Sequence, residues 1–299
     1  MMKRMISILV CLCIIGTVTF AADLPVIHRH VGSNSDVLAN AYLIETDKGV
    51  IAVDATMTIA ESEKLRAELE SLHKPLLAVL ITHGHPDHYG GITGLVKNDK
   101  VPIVSSQEVD RMIRRDDAAK GLALKAAGIQ WAEPRTFPNT TLESGKSVTF
   151  GGLRFTVYDA GAGESHADSY WIMEDTQKVA FVGDLALNHV NAFLADGHSE
   201  AWLQKLPALK TRLQTLGVTK VYPGHGDSGG VELFDWTRGY IERYRTSVKE
   251  LAAGQPTLTP EQKAELSRRM ARFLPENKVP QFVTRSADAV AAELAKEAD

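Results

Sequence analysis

Residues 79–91 read VLITHGHPDHYGG, and this short stretch constrains the fold more than any other part of the chain. An apolar run at 76–82 leads directly into three histidines and an aspartate. A continuous apolar run of this length is typical of a β-strand buried on both faces, in a sheet that is covered by helices. The sequence therefore predicts an internal strand whose carboxyl end delivers a group of metal-ligating side chains.

Strand-like and helix-like stretches alternate along the rest of the chain. Residues 40–55 and 147–160 each predict a β-hairpin, with turn residues between two apolar runs. Residues 58–73, 199–217 and 232–254 have the apolar spacing of amphipathic helices. Strands that alternate with helices indicate an α/β fold, and the hairpins favour mixed sheets over purely parallel ones.

Residues 116–146 have no clear pattern. They follow a predicted helix at 107–115, and they predict a short helix at 118–128 followed by loop-like sequence. Loops of this length are often functional lids. Whether this segment covers a site stays open at the level of sequence.

The last part of the chain, 255–299, predicts a helical extension whose role the sequence does not define. Thr259 with Gln262 has the spacing of a capping box, and Pro260 lies at the first helical position. A final helix is predicted at 286–298.

Residues 1–22 have the layout of a secretory signal peptide. Lys3 and Arg4 precede an apolar stretch, and small residues suggest cleavage near Ala21 or Ala22. We expect a periplasmic or secreted protein with no stable membrane anchor after cleavage. An uncleaved anchor is the alternative, although the apolar stretch is slightly short for a span.

Composition limits the chemistry and the partners of the mature chain. The two cysteines, Cys11 and Cys13, lie inside the predicted signal, so any metal must be held by nitrogen and oxygen ligands. The whole chain has a net charge of −4, and loss of Lys3 and Arg4 makes it more acidic. An acidic protein is a poor nonspecific binder of nucleic acid, so we expect a small-molecule substrate and no nucleic-acid partner.

The histidine cluster has the composition of half a dinuclear site. His83 and His85 would point the same way from an extended strand end, and Asp87 and His88 follow a proline turn. Imidazole and carboxylate together suit zinc and similar first-row metals. Further candidate ligands follow predicted strands later in the chain: His166, Asp184 and His225.

Four features occur in order over about residues 25–250: the H-x-H-x-D-H cluster, a lone downstream histidine, a Gly-Asp strand end and a final Gly-His. Together they resemble the metallo-β-lactamase superfamily. The resemblance implies an αββα sandwich, with a catalytic domain at 23–254 and the short helical appendage at its C-terminus. It also implies that Asp54 supports a ligand from behind, and it assigns one metal to His83, His85 and His166, the other to Asp87, His88 and His225, with Asp184 bridging.

The same resemblance implies a metal-dependent hydrolase. Two zinc ions, or iron or manganese in their place, would share a hydroxide that attacks an ester, lactone, thioester or amide carbonyl. Asp87 would be catalytic, since it could both bind a metal and orient the nucleophile.

Several alternatives stay open. A bridging Asp184 is more similar to glyoxalase II and lactonase-type members, whereas many true β-lactamases of the superfamily have Cys or Ser there. Yet the segment AGAGESHADSYW resembles the third-ligand region of β-lactamases, so β-lactam hydrolysis remains an alternative. An iron-dependent oxidoreductase of the same fold and a non-catalytic periplasmic zinc-binding protein are the others. The sequence does not define the substrate or the oligomeric state.

Overall fold

The computed structural model describes residues 24–131, 133–175 and 177–298. The predicted signal peptide lies outside the described residues, as do Cys11 and Cys13. Within the described chain, two mixed β-sheets stack face to face and helices cover both outer faces. The predicted αββα sandwich is therefore confirmed.

The first sheet contains six strands in sequence order. They are β1 (Val26–Val31), β2 (Asn40–Thr46), β3 (Gly49–Val53), β4 (Leu76–Leu80), β5 (Ile103–Ser106) and β6 (Thr140–Leu142). The hairpin β2–β3 is antiparallel, as predicted, and β3 to β6 run parallel. Parallel neighbours bring the carboxyl ends of β3 and β4 to one edge of the sheet.

The second sheet contains five strands, and the last two of them along the chain pair parallel to each other. In spatial order they are β11 (Lys220–Pro223), β10 (Val179–Gly183), β9 (Asp168–Glu174), β8 (Leu153–Gly161) and β7 (Ser147–Phe150). The strands β7 to β10 form an antiparallel meander, and β11 pairs parallel to β10. The carboxyl ends of β10 and β11 therefore also lie together.

Side-chain alternation along the strands divides the apolar residues into separate layers. On β2, Tyr42 and Ile44 face the second sheet, whereas Ala41 and Leu43 face the helices over the first sheet. This follows from the two-residue period of a strand. Trp171 and Phe181 fill the space between the sheets from the other side.

Helices form the two outer layers. The helices α1 (Ile59–Ser71), α3 (Ile92–Leu95) and α4 (Gln107–Ala126) cover the first sheet, and the one-turn α2 (Pro86–Tyr89) carries part of the histidine cluster. The second sheet is covered by α5 (Ser199–Thr215), α6 (Leu233–Ala252), α7 (Pro260–Phe273) and α8 (Gln281–Ala298). Over the described residues, we find no helix with the length and apolar character to cross a membrane.

The structure differs from the sequence prediction in the segment after residue 106. One helix, α4, runs from Gln107 to Ala126, where we predicted two shorter helices. Its first half buries Val109, Met112 and Ile113 against the sheet, but its second half projects from the sheet and leaves Leu122 72% exposed. The apolar period therefore ends halfway along a helix that continues.

The C-terminal extension is part of the helical layer over the second sheet. The predicted capping box at Thr259 and Gln262 is present at the start of α7. The final helix begins at Gln281, five residues earlier than predicted. Leu266 of α7 and Val290 of α8 belong to the same apolar cluster as α5 and α6, so the extension packs directly on the sandwich.

This packing predicts that the extension contributes to global stability. Leu266 is 0% exposed, so Leu266→Ala should lower the free energy of unfolding by about 2–5 kcal/mol through lost burial and a residual cavity. Urea unfolding monitored by circular dichroism measures this change. Leu122→Ala is the matched control on an exposed leucine, with an expected change below about 0.5 kcal/mol. Equal effects of the two substitutions would show that α7 does not share the core.

Candidate metal centre

The ends of four strands meet at one edge of the sandwich and carry three of the predicted ligands together with Asp54, the predicted supporting residue. His83 follows β4, Asp54 follows β3, Asp184 follows β10 and His225 follows β11. These residues are each at most 4% exposed. The hydrogen bonds of each strand fix the position of the backbone where the strand ends. The loop that follows has no such pairing, so its side chains can point toward this edge.

The two sheets are hydrogen-bonded to each other at this edge. The Ser169 amide of β9 donates to the Thr82 carbonyl at 3.0 Å, and the Trp171 indole donates to the Ile81 carbonyl at 3.0 Å. An isolated antiparallel bridge pairs His83 with Asp168. The centre is therefore built where the two layers are joined by polar contacts as well as by apolar packing.

One half of the centre consists of Asp87, His88 and His225, with Asp184 beside them. The Asp87 Oδ2 lies 3.5 Å from His88 Nε2 and 3.3 Å from His225 Nε2. The Asp184 carboxylate lies 3.5 Å from His88 Nε2 and 3.2 Å from His225 Nε2. Ligand atoms about 2.0–2.1 Å from a tetrahedral metal lie roughly 3.3 Å apart, so these spacings fit a shared cation.

The atoms that face one another here have no hydrogen-bond partner among the described residues, although they are fully buried. They are His83 Nε2, His88 Nε2, His225 Nε2, Asp184 Oδ1 and both carboxylate oxygens of Glu164. An unsatisfied buried polar atom costs about 1–3 kcal/mol, and more when it is charged. A cation at their common focus would satisfy all of them, so the donor set fits divalent metal ions.

Asp54 holds two of the histidines in position from behind. Its Oδ2 accepts a hydrogen bond from His88 Nδ1 at 2.8 Å and another from the Thr82 hydroxyl at 2.8 Å. The Thr82 hydroxyl oxygen lies 3.0 Å from His83 Nδ1 and accepts its proton. With both Nδ1 atoms protonated, each ring directs the lone pair of Nε2 into the centre, which is the usual role of an outer carboxylate in a metal site.

Asp196 has the same role for His85, and sequence reasoning missed it. The His85 Nε2 lies 3.0 Å from Asp196 Oδ2, so the ring turns its Nδ1 toward the centre. Asp196 lies in a loop 111 residues from His85 in the sequence, and no motif marks it.

The structure brings six of the seven predicted ligands together but not His166. The His166 ring is 36% exposed, and its Nδ1 lies 2.7 Å from His198 Nε2. Glu164, two residues earlier, lies at the centre instead and forms a group with His83 and His85. The turn of this loop explains the difference, because it directs Glu164 inward and His166 outward.

Charge is strongly coupled across the buried centre. Burial raises the pKa of Glu164 to about 8, although the neighbouring His85 ring opposes this shift. Burial by itself would lower the pKa of His85, but Glu164 and Asp196 raise it to about 10. Burial also disfavours a charged Asp87, yet His88 and His225 hold the pKa of its carboxyl well below the usual range. The imidazole and carboxylate groups thus stabilise each other's charged forms in a site from which water is excluded.

Two mixed sheets between helical layers, with buried imidazole and carboxylate ligands at the strand ends, define a metallo-hydrolase. Residues 35–225 match the metallo-beta-lactamase superfamily, and the chain belongs to that superfamily. Its members of similar sequence are hydrolytic enzymes, and the superfamily typically binds metal ions.

Relatives of the chain carry different activities. A hydroxyacylglutathione hydrolase of Idiomarina loihiensis is 32% identical over 126 residues, or 41% of this chain and 48% of the relative. A type 2 metallo-beta-lactamase of Bacteroides fragilis is 22% identical over 218 residues, or 72% of this chain and 79% of the relative. The chain spans about half of the hydroxyacylglutathione hydrolase, and only 9% and 11% of two Pseudomonas alkylsulfatases that it also matches.

Solved structures show the same fold. A metallo-beta-lactamase from Pontibacter korlensis superposes with a TM-score of 0.59 at 19% sequence identity, over 75% of this chain and 97% of that chain.

The position of Asp54 behind the ligands generates a prediction. Asp54 has a left-handed backbone with φ of 59°, which asparagine tolerates, so Asp54→Asn should keep the fold while removing the negative charge behind His88 and one of the two acceptor oxygens. Zinc affinity should fall about 10–100-fold. Competition with a chromophoric chelator measures it. Asp47→Asn, on the exposed β2–β3 turn, should leave the affinity unchanged. An unaltered affinity in Asp54→Asn would contradict the proposed support of His88.

Proposed function

We propose that the protein is an exported hydrolase that uses two divalent metal ions, most simply zinc, to cleave a small carbonyl substrate: an ester, lactone, thioester or amide. The observation that carries the proposal is the group of buried histidines and carboxylates whose ligand atoms face one another without other partners. The proposed export rests on the signal-like residues 1–22, and it implies a periplasmic or secreted location.

The arrangement of the ligands supports two metal positions with a shared carboxylate. His83 and His85 would hold one ion, and Asp87, His88 and His225 the other. Asp184 groups with His83 and His88, one residue from each set, and is therefore placed to bridge them. When bound, two divalent ions lower the pKa of a shared water and polarise a carbonyl oxygen.

Asp87 would orient the nucleophilic water. Its Oδ2 is directed at the two rings, while the residue also borders the cavity that opens over the centre. The ionised carboxylate can therefore accept a hydrogen bond from water there and orient it for attack.

The cavity favours a small substrate with an apolar portion. It has a volume of about 200 Å³, and its walls include Met57, Leu124, Phe193 and Phe282. The second half of α4 and the first turn of α8 supply part of this wall, so residues 118–129 and the C-terminal extension both shape the pocket.

A second candidate function is β-lactam hydrolysis. It is supported by the 72% of this chain that aligns with the Bacteroides fragilis metallo-beta-lactamase. The hydroxyacylglutathione hydrolase match covers less of the chain but at higher identity, and it favours thioesters or esters. One carbonyl-cleaving centre could carry out either β-lactam hydrolysis or thioester and ester hydrolysis. A panel of these substrates distinguishes the two activities.

Metal removal tests the proposal directly. Dialysis against a chelator should abolish hydrolysis across a panel of esters, lactones, thioesters and β-lactams, and two equivalents of Zn²⁺ should restore it. Asp184→Asn should reduce kcat/KM at least about 100-fold, because the bridging charge is lost. Asp227→Asn, an exposed carboxylate near the same loops, serves as the control. Full metal loading with no turnover would favour a zinc-binding protein, and iron with oxygen consumption would favour an oxidoreductase.

The charges at the cavity predict a preference for anionic substrates. Lys120 and Arg285 border the cavity, and the Lys120 ammonium donates to the Gly84 carbonyl at 2.8 Å. Arg285→Gln should raise KM several-fold for an ester with a free carboxylate and leave its neutral methyl ester unchanged. The control is Arg268→Gln on the exposed side of α7, where Arg268 pairs with Glu265. Equal KM changes for both esters would argue against charge recognition.

A further inference from the structure

We propose that Glu164 is the third protein ligand of the first metal, so that this site consists of two imidazoles and one carboxylate. The inference deepens the proposed function and rests on its metal dependence. The resemblance assigned this ligand position to His166. Glu164 would take its place, and it differs from histidine in charge and in donor atom.

The burial of Glu164 is difficult to explain without a cation. The residue is 1% exposed, and neither carboxylate oxygen makes a well-aligned hydrogen bond among the described residues, although His85 Nδ1 lies 2.8 Å from Oε2. Glutamate is almost never fully buried unless it is paired or bound to a metal. Two buried carboxylates, Asp168 and Asp184, lie close enough to act on its charge.

The distances around Glu164 are those of ligands that converge on one ion. Its Oε2 lies 2.8 Å from His85 Nδ1 and 3.4 Å from His83 Nε2. The contact with His85 is short, yet the ring nitrogen and the oxygen do not have the alignment of a hydrogen bond. Lone pairs that face a common point produce this combination of a short distance and poor alignment.

The loop that carries Glu164 is fixed in the conformation that directs it inward. The Asp168 carboxylate accepts hydrogen bonds from the Ser165 amide at 3.2 Å and from the Ser165 hydroxyl at 2.6 Å. Gly163 permits this close turn, because a Cβ there would lie 2.9 Å from Asp168 Oδ2. Asp168 is itself paired with His83 through the bridge between the sheets, so Glu164 and His83 share one rigid support.

His166 is engaged elsewhere. It forms its contact with His198 at the surface, and its Nε2 lies 3.8 Å from the Asp196 carboxylate. To reach His83 and His85, His166 would have to displace Glu164 and break the hydrogen bonds between Ser165 and Asp168.

A carboxylate at this position changes the charge of the centre. Glu164, Asp87 and Asp184 together supply three negative charges against the four positive charges of two divalent ions. Two histidines and one glutamate are an established donor set for catalytic zinc, so the substitution is compatible with zinc. The added oxygen donor also improves the fit to manganese relative to a site of three imidazoles.

Metal binding by the full mature chain tests the assignment without reference to turnover. We would compare the wild type with Glu164→Ala, Glu164→His and His166→Ala, using elemental analysis for stoichiometry and Co²⁺ absorption for affinity. The wild type should bind two ions and His166→Ala should match it. Glu164→Ala should weaken the first site about 100-fold or more. Glu164→His should restore two ions, and X-ray absorption should then count one more imidazole.

Controls separate the possible failures. Circular dichroism and thermal melting check the fold of each variant, and Glu164→Gln provides an isosteric variant should the alanine variant not fold. Its neutral amide should also weaken the first site. Loss of an ion in His166→Ala with full binding in Glu164→Ala or Glu164→Gln would overturn this inference alone. A wild type that binds no metal would overturn the proposed function together with it.

Discussion

The rest of the centre depends on the hydrogen bonds that the buried Asp54 carboxylate accepts. This carboxylate joins the end of β3 to the second residue after β4 and to the turn that carries His88, through the Thr82 amide, the Thr82 hydroxyl and the His88 ring. The Asp54 amide also donates to the Leu80 carbonyl at 2.9 Å. A single buried side chain thus sets the spacing of two parallel strands and the protonation pattern of two ligands.

The sandwich explains why the centre can be both buried and accessible. The central strands of each sheet are buried on both faces, so polar groups collect where these strands end. Four strand ends supply Asp54, His83, Asp184 and His225, and the loop between β8 and β9 adds Glu164. Helices from distant parts of the sequence then form the mouth, with Phe282 from the C-terminal extension packed against Phe193 at 5.2 Å between ring centroids.

The parts of the protein that the sequence predicted well are those in which local pattern and chemistry agree. The apolar run before His83, the hairpins and the capping box at Thr259 all have local causes, and the structure contains each of them. Glu164 and Asp196 were not predictable in this way. Their roles depend on how a loop turns and on a contact between residues far apart in sequence, and neither leaves a periodic signal. The preference for histidine as a metal ligand led to His166, which is nearby but faces solvent.

The hydrogen bonds between the two sheets at Ser169 and Trp171 have a consequence for motion. Apolar layers can slide or separate at little directional cost, whereas these bonds fix the distance and register of the layers at one edge. Thermal breathing of the sandwich should therefore hinge about the centre and be widest at the opposite edge. The distances between the ligand atoms would then change little while the rest of the interface between the sheets fluctuates.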